Sequence, residues 1–188
     1  MKEKIVLASN NKGKIREFKE MFPDYDIIPY AELGITEEPV ETGTTFFENA
    51  LIKAKTISQI CGEAVIADDS GLCVDALNGG PGVYSARFSG LGDDENNKKV
   101  LRLLEGETNR GANFTSSIVL YKPDGTIIAV EGKVYGTILH EITGSNGFGY
   151  DVIFYCTEID KCFGLATPEE KNAVSHRARA IAKLKKYL

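Results

Sequence analysis

A short apolar run followed at once by a polar turn and an amphipathic segment opens this chain. The apolar run covers residues 5–8, the turn covers residues 9–14, and apolar positions recur at helical spacing over residues 15–22. This order predicts a β-strand, a tight turn and an α-helix. Further strand and helix patterns alternate along the next part of the chain, which favours parallel strand pairing and an α/β fold.

The turn before the first helix combines side-chain amides, a glycine and two cations. Its residues are Ser9, Asn10, Asn11, Lys12, Gly13 and Lys14. Free N–H groups and the positive end of the helix dipole favour anions at such a place, so the turn is a candidate phosphate site. It is not a Walker A loop, because Ile15 follows Lys14 where that motif needs Ser or Thr. An ordinary helix cap, Ser9 or Asn10, with solvated lysines explains the same pattern equally well.

Length, composition and charge limit the class of protein. The chain has 188 residues, of which 43% are apolar and 26% charged, so we expect one domain over residues 1–188. The net charge is −5 and no basic run appears, so we expect no nucleic-acid partner. The four cysteines form no CxxC pair, and no apolar run suits a signal peptide or a membrane span. We therefore expect a cytoplasmic protein with reduced thiols and no membrane partner.

The remaining pattern predicts a mixed sheet flanked by helices. Predicted strands cover residues 4–9, 26–29, 64–67, 114–122, 127–134 and 152–155, and predicted helices cover residues 12–22, 45–60, 94–104 and a stretch from residue 168 onward. The turn at residues 123–125 joins two long β runs, which predicts an antiparallel hairpin. The glycine-rich stretch at residues 79–82 indicates a loop within the domain.

Two adjacent acids, Asp68 and Asp69, follow the third apolar run directly. We expect that strand to end there, with Gly71 permitting a tight turn, and ligands in α/β folds bind at such strand ends. Because neighbouring strand residues point to opposite faces, only one of the two acids should face a given pocket. Glu41 and Glu48 form a second acidic set, and together these oxygen ligands suit Mg²⁺ beside a phosphate. A turn with a cap explains Asp68 and Asp69 without a ligand, and a favourable contact with the helix dipole explains Glu48.

The loop at residues 144–151 is rich in glycine and holds two aromatic residues and an acid. Phe148 is placed to stack on a base, and Asp151 is placed to accept a hydrogen bond from the base or the sugar. The aromatic residues would alternatively anchor the loop to the core. Arg87, in the earlier loop at residues 82–88, is an additional cation candidate.

The C-terminal segment predicts an interrupted helix. A capping box with Pro168 at the first helical position begins it. In one continuous helix, His176 would lie nearly opposite the apolar stripe and Lys171 on its flank, so the two could not readily share a pocket. Ser175 is a good N-cap, and we expect a break before it that lets Lys171, His176 and Arg177 converge on one ligand. The alternative is a set of plain solvent-facing charges.

Six motifs in this order resemble the inosine/xanthosine triphosphate pyrophosphatase family, and the similarity spans nearly the whole chain. They are SNNKGK at 9–14, ETG at 41–43 with TFFENA at 45–50, ADDSGL at 67–72, PGVYSAR at 81–87, GFGYD at 147–151, and EKN at 170–172 with SHR at 175–177. The resemblance implies hydrolysis of dITP, ITP and XTP to the monophosphate and pyrophosphate, with Mg²⁺. It also implies a homodimer and a two-lobed α/β fold with an active cleft between the lobes.

The resemblance also assigns roles by position. Residues Ser9 to Lys14 would hold the triphosphate, Asp69 would activate water and touch the metal, and Glu41 would help to bind Mg²⁺. The residues that would contact the nucleotide are Ser70, Phe148, Gly149, Tyr150, Asp151, Lys171, His176 and Arg177. His176 and Arg177 would lie near the base.

Two positions depart from the family pattern. Val152 stands where the family usually has Pro, and Gly164-Leu165-Ala166 stands where it usually has Ala-Glu-Leu, so a carboxylate is missing there. A related pyrophosphatase for pyrimidine or modified nucleotides, of the septum-inhibitor type, is the alternative enzyme. A non-catalytic nucleotide sensor is the alternative of another class, although it would not need the acids at positions 41, 68 and 69.

Overall fold

A mixed sheet with helices packed against it forms the fold of the computed structural model, which describes residues 2–188. The strands are β1 (Glu3–Leu7), β2 (Tyr25–Pro29), β3 (Val65–Val74), β4 (Gly80–Pro81), β5 (Gly111–Tyr121), β6 (Ile127–Ile138), β7 (Phe154–Cys156) and β8 (Lys161–Cys162). The α-helices are α1 (Lys12–Met21), α2 (Phe46–Cys61), α3 (Asp93–Leu103), α4 (Pro168–Val174) and α5 (His176–Leu184).

The strand order is β2-β1-β3-β5-β6-β7-β8, and β4 pairs with β3. Strand β1 is parallel to β2 and β3, whereas the pairs β6–β7 and β7–β8 are antiparallel. The predicted α/β class, with a mixed sheet flanked by helices, is confirmed. Each helix among residues 2–188 is too short or too polar to cross a lipid bilayer.

The chain divides into two compact units. The first contains the chain up to Asp69 with Ser116–Glu131 and Ala180–Leu188, and the second contains Ser70–Thr115 and Gly132–Arg179. The chain passes from one unit to the other within β3, β5, β6 and α5. That residues 1–188 act as one two-lobed domain stays a prediction.

The core of the first unit has two apolar clusters that use alternate residues of β3. Ile66 belongs to the cluster that contains Phe18 of α1 and Ile181 of α5. Val65 and Ala67 belong to the cluster built on the apolar face of α2. This alternation follows from the two-residue period of a strand, and it carries the next two residues of β3 to opposite faces as well.

The core of the second unit is built around aromatic side chains. The ring of Phe114 lies 4.5 Å from that of Phe154, and the ring of Phe154 lies 5.3 Å from that of Phe163. Val100 and Leu104, at the apolar face and the end of α3, are fully buried in the same cluster.

Two local expectations fail against the structure, and two short strands were not expected. Strand β3 continues to Val74, so Asp68 and Asp69 lie within the strand and Gly71 forms no turn, because the end of the strand pairs antiparallel with β4. The N-cap of α1 is Asn11, whose Oδ1 accepts a hydrogen bond from the Lys14 N–H at 2.9 Å, rather than Ser9 or Asn10. Strands β4 and β8, of two residues each, were not predicted, since such short strands carry no periodic signal.

The predicted break in the C-terminal helix is confirmed. Helix α4 ends at Val174 and α5 begins at His176, with Ser175 between them in an extended conformation at φ −63° and ψ 156°. The Ser175 hydroxyl oxygen accepts a hydrogen bond from the Ala178 N–H at 3.1 Å, which is the N-cap contact that the sequence indicated. The capping box at the start of α4, between Thr167 and Glu170, is also present.

Candidate active site

The first helix of the first unit starts in the predicted basic turn. Ser9 Oγ accepts from the Asn11 N–H at 3.1 Å, and Asn10 Nδ2 donates to Tyr30 Oη at 2.6 Å. Lys12 is exposed, whereas Lys14 is mostly buried, with its Nζ 2.8 Å from Asp68 Oδ2. The turn is therefore tied to β3 by an ion pair, and Lys12 is its more accessible cation.

Asp68 and Asp69 point to opposite sides of β3, as strand geometry requires. The Asp68 carboxylate is fully buried and receives both Lys14 and the hydroxyl of Ser116. Asp69 points to the α2 side, where its Oδ1 lies 3.3 Å from Lys53 Nζ. The prediction that only one of the two acids faces a given site is confirmed.

Lys53 joins the two predicted metal ligands. Its Nζ lies 3.3 Å from Asp69 Oδ1 and 3.5 Å from Glu41 Oε1, and it donates a hydrogen bond of 2.7 Å to the Asp68 carbonyl oxygen. The ammonium thus lies between two carboxylates that it contacts only loosely. Glu41 and Asp69 are brought together as the sequence suggested, with a cation shared between them.

The Asp69 carboxylate is incompletely paired although it is buried. Its Oδ2 is buried without a hydrogen-bond partner among the described residues, and the residue is only 6% exposed. Burial raises the pKa of Asp69 above its usual value, and the Lys53 and Lys14 cations oppose that shift only in part. A buried carboxylate with one unsatisfied oxygen and a raised pKa is typical of a group that takes up a proton or a cation.

Glu48 serves the local structure of α2 rather than this cluster. Its carboxylate accepts hydrogen bonds from the N–H groups of Thr44 and Thr45, which close a capping box and lower the pKa of Glu48. Among residues 2–188, no three His, Cys, Asp or Glu side chains gather into a group able to hold a metal ion. A Mg²⁺ ion does not need three such side chains, because it uses one or two carboxylates and completes its shell with waters and phosphates. Glu41 and Asp69 would be enough for it.

The glycine-rich loop of the second unit is organised around Asp151. The Asp151 Oδ2 accepts from the Phe148 N–H at 3.0 Å and lies 2.6 Å from Lys171 Nζ. Both Asp151 and Lys171 are buried, at 2% and 5% exposure. A β-carbon at Gly147, whose φ is +73°, would overlap the same carboxylate, so the loop needs glycine there. Asp151 therefore holds the loop together, and its carboxylate is engaged by the protein.

Phe148 lies beside two cations of the C-terminal helices. The ring centroid is 4.7 Å from Lys171 Nζ and 5.8 Å from Arg177 Cζ. Arg177 is fully buried and its Nη2 donates to Ser70 Oγ at 2.8 Å. The helix break at Ser175 thus brings Lys171 and Arg177 to one aromatic ring, which one straight helix would not do.

His176 and Tyr150 are placed by the core of the second unit. The His176 ring stacks on Phe114 with a centroid distance of 4.9 Å and an interplanar angle of 17°. The Tyr150 hydroxyl donates to the Ser85 carbonyl oxygen at 2.6 Å, and burial raises the pKa of Tyr150. Both side chains are buried, while the other cation candidate, Arg87, is exposed.

Lys53 is the main residue that sequence reasoning missed. A signal existed, because the buried face of α2 carries Ala50, Ala54 and Ile57, and Lys53 falls on that apolar stripe at helical spacing. A lysine in such a place needs a counter-charge. The long-range partner could not be read from the chain, since Asp69 lies in another element.

A separate cavity of the second unit lies among other residues. Its volume is about 410 Å³, and its lining contains none of the predicted site residues. The lining consists of Lys98, Leu101, Arg102, Leu104, Glu105, Gly106, Arg110 and His140.

The mixed α/β fold carries, at Glu41, Lys53 and Asp69, a loosely paired cluster whose two carboxylates are ligands of the kind that Mg²⁺ uses. The Ham1 family model matches residues 5–187, and the chain belongs to the Ham1 family. The resemblance found in the motifs is thereby confirmed.

Named relatives cover almost the whole chain. A "dITP/XTP pyrophosphatase" of Desulfotalea psychrophila is 49% identical over 185 residues, which are 96% of this chain and 83% of that protein. A "dITP/XTP pyrophosphatase" of Staphylococcus aureus is 46% identical over 190 residues, which cover 100% of this chain and 97% of the relative.

Solved structures agree with the fold. The Staphylococcus aureus Ham1 protein matches with a TM-score of 0.89 at 44% identity, over 98% of this chain and 97% of that one. A HAM1 protein from Coxiella burnetii matches with a TM-score of 0.89 at 39% identity, over 98% of each chain.

Proposed function

We propose that the protein hydrolyses the non-standard purine nucleoside triphosphates dITP, ITP and XTP to the monophosphate and pyrophosphate. The observation that carries the proposal is the Asp69 carboxylate, which is buried, half-satisfied and paired loosely with Lys53. It stands in a chain whose relatives are named for this activity. The nucleotide-diphosphatase reaction would clear deaminated purines from the nucleotide pool.

Asp69 acts as the general base in this proposal. Attack by water on the triphosphate breaks the bond between the α- and β-phosphates, and the water proton needs an acceptor at that moment. The unsatisfied Oδ2 of Asp69 is able to accept it, and its raised pKa favours proton uptake. Lys53 holds the other carboxylate oxygen and so orients the base.

Glu41 and Asp69 are the residues that would hold Mg²⁺. Their fit is supported by Lys53, a cation that already lies between Asp69 Oδ1 and Glu41 Oε1, and this side of Asp69 leaves its unsatisfied Oδ2 for the water proton. When bound, the metal would neutralise phosphate charge and polarise the reacting groups. Family membership also favours metal dependence, since phosphoryl transfer relies on positioning and charge neutralisation.

The turn that begins α1 would bind the triphosphate. The first N–H groups of a helix have no partner within it, and here Lys12 and Gly13 supply them beside an exposed ammonium. Lys14 belongs to the same segment, and its ammonium is held 2.8 Å from Asp68 Oδ2. Ser9, Asn10 and Asn11 complete the binding segment.

The second-unit cluster would select the base. The hypoxanthine and xanthine rings carry a 6-oxo acceptor, whereas adenine carries a 6-amino donor. A donor such as Arg177 or His176 therefore pairs with the oxo group and rejects adenine, and Phe148 offers a ring for stacking. Lys171, Asp151 and the neighbouring Gly149 and Tyr150 keep that ring in place, and Ser70 orients Arg177.

A pyrophosphate-release assay with ITP, XTP, GTP and ATP tests the proposal. We expect ITP and XTP to be hydrolysed with a kcat/KM far above that for ATP, and EDTA to stop the reaction. A chain that prefers pyrimidine or modified nucleotides in the same panel belongs to the alternative enzyme type. Binding of ITP without any pyrophosphate release would identify a sensor instead.

Two further features belong to the same proposal. We infer a homodimer, which rests on the family resemblance and is tested by sedimentation of the purified chain. The cytoplasm is the inferred location, because the nucleotide pool that supplies these substrates is there.

A further inference from the structure

The first turn of α3 holds the backbone of the loop that carries Phe148. The Gly149 N–H donates to Asp93 Oδ2 at 3.1 Å, and the Gly149 carbonyl accepts from Asn97 Nδ2 at 2.9 Å. Asn97 Nδ2 also donates to the Asp93 carbonyl oxygen at 2.9 Å. Both backbone polar groups of Gly149 are therefore fixed by two residues one helical turn apart.

The Asn97 amide has only one workable orientation. Its two donated bonds go to carbonyl oxygens, so rotating the amide would bring oxygen against oxygen. Its own Oδ1 is buried without a hydrogen-bond partner among the described residues, and the residue is 2% exposed. Leaving a buried acceptor unsatisfied is unfavourable, so the structure retains this amide for the bonds that its nitrogen makes.

These contacts fix the residue that precedes Gly149. The Phe148 N–H donates to Asp151, and the next residue is held on both sides by α3, so neither end of the Phe148 backbone is free to shift. Gly149 itself has a φ of +60°, a conformation that glycine adopts without a side-chain clash. The ring then lies against Lys171 and Arg177 at the distances given above.

We propose that Asn97 is a positioning residue for binding of the base, acting through the Gly149 carbonyl on the Phe148 ring. This inference rests on the proposed function, because it assumes that the ring meets the purine base. Asn97 touches no substrate in this proposal. Its amide sets the depth and plane of the ring, and a displaced ring binds the base less well without disturbing the bond that breaks.

The variant Asn97→Asp tests this role with almost no change in volume. It replaces the donor by an oxygen that faces two carbonyl oxygens, so the link to Gly149 is lost. We expect the KM for ITP to rise about tenfold, the value of one lost hydrogen bond, while kcat changes less than about twofold. Amide hydrogen exchange at Phe148 and Gly149 should become at least about tenfold faster.

The variant Val100→Ala is the matched control for a merely structural role. Val100 is fully buried on the same helix, but it packs in the core and bonds to neither loop residue. It should lower the melting temperature and leave the KM for ITP and the exchange of Phe148 unchanged. An equal rise in KM for both variants would overturn the positioning role, as would a normal KM in Asn97→Asp.

The two levels of the proposal fail in different ways. If the wild-type chain releases no pyrophosphate from ITP, the proposed function fails and this inference fails with it. If the wild type is active and Asn97→Asp has a normal KM for ITP, only the positioning role is refuted.

Discussion

Two buried aspartates, Asp69 in the first unit and Asp151 in the second, both face a lysine, but the protein holds them very differently. Asp151 lies 2.6 Å from Lys171 and its Oδ2 also accepts a backbone N–H at 3.0 Å. Asp69 lies 3.3 Å from Lys53, and its Oδ2 has no partner among the described residues. The tightly held acid builds a loop, whereas the loosely held acid is available for chemistry.

This difference follows from what surrounds each carboxylate. Asp151 is at the start of a short 3-10 turn. The loop that contains Gly147 brings the Phe148 N–H group to its carboxylate. Asp69 lies within β3, where its own backbone is committed to the sheet and only side chains of other elements can reach the carboxylate. Removing a charge should therefore damage activity at one acid and stability at the other.

The substitution Asp69→Asn should have the largest effect of all, and that effect is on catalysis. The amide cannot accept the water proton, so pyrophosphate release from ITP should fall by about 10³-fold, within the range for loss of a general base. Nucleotide binding should remain measurable by calorimetry. Activity within a few-fold of the wild type would refute the role of Asp69 as general base. Asp69 and Asp151 would then no longer differ in function.

Asp151→Asn should act mainly on stability. It leaves the buried Lys171 ammonium without its counter-charge, and breaking a buried pair costs about 3–5 kcal/mol. In a chain of this size that loss lowers the melting temperature by about 10 °C.

The control for Asp151 is Glu170→Gln, which breaks the exposed Lys161–Glu170 pair but retains a capping-box residue. Its melting temperature should equal that of the wild type. Equal melting temperatures for Asp151→Asn and the control would show that the buried pair is not structural.

The variant Lys53→Met tests whether Lys53, which lies between Glu41 and Asp69, orients the Asp69 carboxylate. Without the ammonium, Glu41 and Asp69 repel each other and Asp69 loses its orientation, so activity should fall by about 10²-fold. Mg²⁺ should then raise the melting temperature more than it does in the wild type, because the metal replaces the missing charge. Thermal shifts with and without Mg²⁺ measure this, and identical shifts in both proteins would exclude it.

The variant Arg177→Lys tests whether Arg177 of the second unit selects the purine base. The charge is retained but the planar fork that reaches Ser70 is lost, so the ratio of kcat/KM for ITP over ATP should narrow about tenfold. Arg179→Lys is the matched control, since Arg179 pairs with Glu158 at the surface. An unchanged ratio in Arg177→Lys would move base selection to other residues.

The smallest expected effect is the dependence of kcat and of stability on pH that the titration of Asp69 produces. Because burial raises its pKa, kcat should rise with pH through a midpoint above the usual aspartate value of 3.8, and added Mg²⁺ should move that midpoint to lower pH. The folded state keeps the proton longer than the unfolded state, so stability should fall as pH rises from 3.8 through the raised pKa. Urea unfolding of the wild type and Asp69→Asn tests the sign, since the variant should lack that fall.

The sequence predicted more of the second unit's site than of the first's. The break at Ser175 followed from local rules alone, because a good N-cap and an apolar stripe that changes face are both properties of a short segment. The approach of Lys171 and Arg177 was expected from that break, but their meeting at the Phe148 ring and the stacking of His176 on Phe114 were not. By contrast, the end of β3 was misplaced, because pairing with β4 extends a strand that its own residues would not continue.

What the sequence determined by itself is the α/β class, the order of the motifs, the capping box of α4, and the alternation that separates Asp68 from Asp69. These depend on periodicity and on contacts within a few residues of the chain. Only the tertiary structure decided which cation each acid receives: Lys14 for Asp68, Lys53 for Asp69 and Lys171 for Asp151. Such pairs join residues distant in the chain, and their lengths depend on packing that no local pattern encodes.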